Sequence, residues 1–359
     1  MIFAVESDSD DDSCGTSSDR SRPTSDWKPD MRTRRATTWS SGRGRLATTG
    51  KQLSAFLGYS AKSPRPWTLP VHYHVEVTSR CNLRCPCCPY SLGHAPQGGW
   101  GHIDTTLFTR LIREIERSRP SFGISLHVGG EPLLHPKIGQ LVRIVHEELG
   151  MMPMFASNGL LLTDGVIRDL VKAGGAMIEV DFSSEIGVFQ RFRGSVDWAA
   201  VRSNIQRALD AGLGLCIRSY DGDTKPLRDL FRAGSHLTIL PFRLHNVGGD
   251  FAPFVMNRFG PTPFGHRFHP CSHLWFGMSI AWNGNVVLCC RDVLHSQVIG
   301  DLTMQSIRDV WYGEAFAAIR RQHVERRLQG SLPCHTCDRP WDCVNAPWSM
   351  LVAHFFPRR

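Results

Sequence analysis

Cys81, Cys85 and Cys88 stand in the spacing C-x3-C-x2-C within the run TSRCNLRCPCCPY. Three thiolates so close together suit a soft metal, and they suffice to hold three irons of a 4Fe-4S cube. The fourth iron is then left without a protein ligand and is open to a small molecule. A fourth local cysteine, Cys87, is adjacent to Cys88 and points elsewhere if the loop is tightly wrapped. Zinc is the competing reading, because clustered cysteines also bind it.

A second constellation occupies the C-terminal third. Cys271 is followed by twelve residues, Gly284, four residues and Cys289, and later by C-H-T-C at 334–337 and by Cys343. Twelve cysteines in a small secreted domain would suggest a disulfide scaffold, but here they cluster as soft metal ligands held reduced in a cytoplasm. Cys14 and Cys216 fall outside the clusters.

These residues must be positioned by a chain of 359 residues with 42% hydrophobic content and a formal net charge of +8. That length accommodates one large domain with a small one. The basic excess sits in short runs (32–35, 42–45, 320–327 and Arg358–Arg359) with no interleaved aromatic stripe, which argues against nucleic-acid binding. No stretch approaches the roughly 18 apolar residues of a membrane span, and the N-terminus lacks a secretory signal. Residues 1–66 are rich in Ser, Thr, Asp, Arg and Gly without a sustained apolar period, and they read as a disordered tail.

From about residue 70, strand-like runs alternate with amphipathic helices. Strands are expected at 72–77, 122–128, 152–158, 176–182, 213–219 and 236–242, with helices between them. Asp104 and Thr163 are expected helix caps, and Leu107, Phe108, Leu111, Ile112 and Ile115 form a core stripe. Repeated strand–helix units require a largely parallel α/β sheet with right-handed crossovers. WNGNVVLCC at 282–290 reads as a β-hairpin on its Asn-Gly turn.

The cysteine triad, GGEP at 129–132 and the six strand–helix units resemble the radical S-adenosylmethionine (SAM) superfamily. The resemblance implies a partial (βα)6 TIM-like barrel over 67–250 and a small auxiliary cluster domain over 251–359. It also implies that a 4Fe-4S cluster on Cys81, Cys85 and Cys88 binds SAM and cleaves it to a 5'-deoxyadenosyl radical. Cys87 departs from the aromatic, His or Met usual at that position. Gly129, Gly130, Glu131 and Pro132 match the motif that binds the methionine amino group, although Glu131 has the alternative of merely bracing the turn. Ser157 and Asn158 at the third strand end are candidates for the SAM carboxylate or ribose. Asp181 and Ser183 end the fourth strand, where VDFSS replaces a Ser-x-Asp-Gly-like segment. Arg218 is a candidate carboxylate partner, and Asn246, Gly248 and Gly249 are candidates for shaping the adenine or substrate side.

The later cysteines resemble the SPASM/twitch extension. A full SPASM domain has seven cysteines, but Pro347 stands where a last one would follow Cys343. Cys271, Cys289, Cys334 and Cys337 match the four-ligand arrangement of a second, auxiliary 4Fe-4S cluster, with Cys290 and Cys343 as alternatives. The same four residues also suit a structural zinc ion. The expected activity is oxidation or epimerisation of a polar carbohydrate- or cyclitol-like metabolite, with a flavodoxin or ferredoxin as electron donor. Cys216, Cys290 and Cys343 are candidates for returning hydrogen to a substrate radical. The alternatives are a peptide-modifying maturase and a non-enzymatic zinc- or nucleic-acid-binding protein.

Overall fold

The computed structural model describes residues 45–221, 224–231, 236–241, 268–330 and 333–341. Asn246, Gly248, Gly249, Cys14 and Cys343 lie outside them. In chain order the elements begin with α1 (Arg45–Ser60), β1 (His72–Val75), α2 (Thr105–Ser118), β2 (Gly123–Ser125), α3 (Ile138–Leu149) and β3 (Met154–Ser157). They continue with α4 (Asp164–Lys172), β4 (Met177–Asp181), α5 (Ile186–Arg193), α6 (Trp198–Asp210), β5 (Gly214–Ser219), α7 (Lys225–Leu230) and β6 (Leu237–Pro241). The last are α8 (His273–Phe276), β7 (Gly277–Ile280), β8 (Asn285–Val287), β9 (Val298–Asp301), α9 (Ile307–Tyr312) and α10 (Glu314–Val324).

Among the described residues nine strands form one sheet, in the order β6-β5-β4-β3-β2-β1-β7-β8-β9. The pairs from β6 through β1 to β7 are parallel, and β7-β8-β9 is antiparallel. This is the expected open α/β sheet of a partial (βα)6 barrel, extended at β1 by the auxiliary hairpin. The hairpin turn depends on Gly284, whose φ of +93° is the left-handed region that glycine adopts without strain.

The sheet has two chemically different faces because strand side chains alternate. Tyr73, Val75, Phe155, Ile178, Val180, Leu215 and Ile217 point to the helices and are buried. There they meet the stripe of Phe108, Leu111, Ile112 and Ile115 on α2. The helix begins where Asp104 accepts hydrogen bonds from the N–H groups of Thr106 (2.8 Å) and Leu107 (3.1 Å), and Thr163 does the same for α4. On the opposite, inner face the paired registers bring together His72, His74, Ser125, Glu179, Cys216, Arg218 and Ser279. That face is polar, as a binding surface must be if it is not to collapse into core.

Residues 45–66, expected to be part of a disordered tail, fold from Arg45 onward. Helix α1 is anchored by polar side chains. Lys51 Nζ donates to the carbonyls of Pro70 (2.9 Å), Arg119 (3.0 Å) and Ser118, so it satisfies the orphan carbonyls at the end of α2. Burial lowers its pKa to about 8. Tyr59 donates to the Pro270 carbonyl at 2.8 Å and packs edge-on against Trp275. The following loop is fixed by Trp275 and Trp311, whose indole N–H groups donate to the carbonyls of Ser63 and Thr68. Arg320, fully buried, lies over the Trp311 and Phe316 rings and donates to the carbonyls of Leu274, Trp311 and Pro64. Apolar periodicity could not reveal this segment, because carbonyl–cation contacts hold it.

Lys51→Ala removes the charged donor from three carbonyls and is expected to cost roughly 1–3 kcal/mol. Limited proteolysis should then cut within 45–66 faster than in the wild type; unchanged cleavage would refute the anchoring role.

Candidate functional site

The cysteine loop starts directly after β1. It is wrapped tightly, with the Cys88 N–H donating to the Cys85 carbonyl (2.9 Å) and the Leu83 N–H to Cys81 Sγ (3.5 Å). Cys81, Cys85 and Cys88 are near enough to influence one another electrostatically. Cys87 donates to the Phe192 carbonyl (3.4 Å) and also feels Cys85 and Cys88. Burial pushes the Cys81 thiol up to about 11 and the Cys88 thiol up to about 12. Thiolates buried in this way need a cation beside them, which is what a soft metal provides. Arg193 Nη1 lies 3.5 Å from Cys85 Sγ and adds positive charge.

Gly129 and Gly130 bring the next loop against this one. A Cβ at Gly130 would sit 2.2 Å from the Thr78 carbonyl oxygen, and one at Gly129 would sit 2.3 Å from the Tyr90 hydroxyl. At Gly130 the clash would be with backbone and φ is +68°, so no other residue type fits; at Gly129 the Tyr90 side chain would have to move. The Glu131 N–H donates to the Arg80 carbonyl (2.8 Å). Its carboxylate accepts from the Asn158 N–H (2.7 Å), the Ser157 hydroxyl (2.9 Å) and the Leu133 N–H (3.1 Å). Burial still raises its pKa despite those donors. Glu131 therefore braces the turn and the end of β3, which is the alternative the sequence left open. Pro132 starts the short 3-10 turn that Glu131 caps. The Asn158 amide donates to Asn82 Oδ1 (2.9 Å), tying the end of β3 back to the cysteine loop.

At the end of β4, Asp181 lies between Arg218 Nε (2.6 Å) and Arg193 Nη2 (2.9 Å). Burial works to raise its carboxyl, but these guanidiniums overcome it and hold the group ionised. Arg218 also faces Glu179 (3.4 Å). The carboxylates that the sequence sought for Arg218 in a ligand are thus supplied by the chain itself, and the arginine positions Asp181. Ser183 is sealed inside, with its carbonyl accepting from the Trp198 indole (2.8 Å). Cys216 projects from β5 near Glu179, and burial lifts its thiol to about 12.

The second constellation also converges. Cys271, Cys289, Cys334 and Cys337 lie within electrostatic reach of one another, and burial pushes each thiol up. Arg339 and Arg291 counter that shift at Cys271, and Arg291 does so at Cys337. Cys290 acts on Cys271 and Cys289 as well, and it also feels Glu179 on the inner face. The donor set suits an iron–sulfur cluster or zinc.

One joint was not anticipated. Glu76, fully buried, accepts from the Gly129 N–H (3.0 Å) and the Trp282 N–H (3.2 Å), and it pairs with His295 Nε2 (3.1 Å). It connects the GGEP turn to the auxiliary hairpin. Burial opposes the charged imidazole, but the Glu76 hydrogen bond and charge prevail and raise the His295 pKa. The available signal was the alternation His72-x-His74-x-Glu76, which puts all three on one strand face. No sequence signal marked Arg193, which reaches the site from α5.

Comparison with known proteins agrees with this geometry. The pattern of the radical SAM superfamily matches residues 75–229, and that of the SPASM iron–sulfur cluster-binding domain matches 271–338. A Niallia circulans protein described as S-adenosyl-L-methionine-dependent 2-deoxy-scyllo-inosamine dehydrogenase is 23% identical over 74% of this chain and 91% of its own length. The crystal structure of BtrN in complex with AdoMet and 2-DOIA aligns with TM-score 0.52 and 22% identity, covering 75% of this chain and 93% of that one. Native anSMEcpe with bound AdoMet and Cp18Cys peptide aligns with TM-score 0.51 and 12% identity, covering 80% and 97%. At these identities the likeness to solved structures establishes the fold. Among the described residues no helix is long and apolar enough to cross a membrane.

Two outcomes test the braces. Glu131→Gln places an amide N–H against the donors at Ser157 or Asn158, and it should lower stability by about 1–3 kcal/mol; a denaturant midpoint equal to wild type would refute the role. The His295–Glu76 pair should stabilise fully below the unfolded histidine pKa, about 6.5. Because the folded pKa is raised, that contribution is lost as pH climbs through it. The stability difference between wild type and His295→Gln should therefore be largest near pH 6 and shrink toward alkaline pH, and a pH-independent difference would contradict the ion pair.

Proposed function

Because the chain belongs to the radical SAM superfamily and carries a SPASM-type iron–sulfur domain, we propose that it abstracts hydrogen from a substrate held against the polar inner face of the sheet. It has the machinery of a radical SAM enzyme, acting on a small molecule or a peptide. The observation that carries the proposal is the packing of the Gly129–Glu131 turn against Thr78, Arg80 and Tyr90, the residues that flank the Cys81–Cys88 loop on both sides. That contact places the ends of β1, β2 and β3 around one spot.

In this reading Cys81, Cys85 and Cys88 hold a 4Fe-4S cluster to which SAM binds, and reductive cleavage of SAM there supplies a 5'-deoxyadenosyl radical. The chain's own work is to bind, orient and exclude water. The Gly129–Gly130 backbone offers close approach to the methionine end, and Glu131 keeps that backbone and Ser157–Asn158 in place. Asp181, held ionised by Arg193 and Arg218, is a ready acceptor for ribose hydroxyls, with Ser183 behind it. Cys271, Cys289, Cys334 and Cys337 would hold an auxiliary cluster suited to accept the electron released when a substrate radical is oxidised. Cys216, a thiol at the inner face near Glu179, is the candidate to return hydrogen in a redox-neutral reaction. A flavodoxin- or ferredoxin-type protein supplies the reducing electron.

For the substrate, a peptide is proposed first, since the peptide-bound anSMEcpe structure shares 80% of this chain, more than the BtrN complex does. Oxidation or epimerisation of a cyclitol- or carbohydrate-like molecule is the second reading. It is favoured by the dehydrogenase that matches over 91% of its own length, and the inner face of neutral imidazoles also suits hydroxyl groups.

Anaerobically reconstituted protein, SAM and a strong reductant should yield 5'-deoxyadenosine by mass spectrometry, and the Cys81→Ala/Cys85→Ala/Cys88→Ala variant should yield none. Asp181→Asn should raise the SAM KM roughly tenfold, the loss of a charge-assisted hydrogen bond. Turnover stimulated by peptides and not by aminocyclitols supports the first reading, and the converse supports the second. Turnover in the triple variant would sink both.

A further inference from the structure

We propose that His74, His273 and Cys290 form a mononuclear site for a zinc-class divalent ion, distinct from both cysteine constellations. One donor atom from each residue lies within 4.8 Å of the other two. His74 comes from the middle of β1, His273 opens α8 just before β7, and Cys290 follows β8. The site therefore lies at the seam where the barrel sheet meets the auxiliary hairpin. Two imidazoles and a thiolate are borderline-soft donors that zinc takes in tetrahedral geometry. Tetrahedral edges with such ligands are about 3.3–3.6 Å, so modest side-chain rotation closes the set.

Three features distinguish this group from an ordinary polar core. His74 Nδ1 is shielded from solvent and has no hydrogen-bond partner among the described residues. A buried nitrogen left bare is costly, and a metal would relieve it. The neighbours that orient metal-binding imidazoles are also present. The His127 backbone is a hydrogen-bond partner of the His74 ring, and Ser279 Oγ lies 3.3 Å from His273 Nε2. Finally, His273 is seated against Gly277, where a Cβ would come within 2.7 Å of the ring. A larger residue there would displace the imidazole.

Three protein ligands leave a fourth position for water or for a substrate oxygen or nitrogen. The inference does not depend on SAM cleavage, since zinc content is read without turnover.

The test is metal content. Full-length protein, reconstituted anaerobically with iron and sulfide, is equilibrated with buffered zinc, desalted and analysed for both metals. About one zinc per chain is expected, coordinated by two nitrogens and one sulfur in zinc-edge X-ray absorption. His74→Ala, His273→Asn and Cys290→Ala should each lose the zinc while keeping wild-type iron. Retained iron also shows that a variant has folded, and the three variants guard against misfolding of any one. The proposal is overturned if the wild type holds no zinc, or if its zinc has a sulfur-only shell. It is also overturned if His74→Ala retains the zinc, or if Cys290→Ala loses iron, which would make Cys290 a cluster ligand.

Discussion

The carboxylate of Glu76 is the point on which the rest of the structure depends. A carboxylate with no access to water must be matched by donors, and here they come from three distant parts of the chain. The Gly129 amide belongs to the turn after β2, the Trp282 amide to the auxiliary hairpin, and His295 to the loop after β8. Removing any one would leave a buried charge under-satisfied. The turn beside the cysteine loop and the domain carrying the second cysteine set are thereby held in fixed relation.

Around that joint the sheet divides its labour. The face toward the helices is aliphatic and aromatic, and packing there sets the positions of the strand ends. The inner face carries His72, His74, His127, Glu179, Asp181, Cys216 and Arg218, whose charges are balanced within the chain. Burial keeps His74 (about 4), His127 and His273 neutral. Arg193 and Arg218 keep Asp181 ionised. A surface of neutral imidazoles beside carboxylates paired to arginine suits a polar substrate. Gly130 completes the arrangement, because only glycine lets its backbone reach the backbone of Thr78–Arg80.

Much of this was legible in the sequence because it depends on local pattern. The spacing of Cys81, Cys85 and Cys88, the GGEP run and the second cysteine set are contiguous signals. The caps at Asp104 and Thr163 follow from side chains bonding amides two or three residues ahead. Strand–helix alternation gave the parallel sheet. What could not be read rests on contacts between residues far apart in the chain. Lys51 lies in the stretch whose composition reads as a disordered tail, yet its ammonium closes the end of α2 some seventy residues on. Arg218 looked like a free fork for a ligand, but Asp181 and Glu179 already occupy it.

The sequence by itself determined the two soft-ligand sets and the period-2 strands, because ligand spacing and side-chain alternation are properties of a short stretch of backbone. Only the tertiary structure decided that β7 pairs with β1, making barrel and auxiliary hairpin one continuous sheet. That pairing brings His273 and Cys290 beside His74 and sets Glu76 between two loops. The physical reason is that hydrogen-bond satisfaction of a buried group is a constraint on the folded whole. The residues that meet it need share no position, period or motif along the chain.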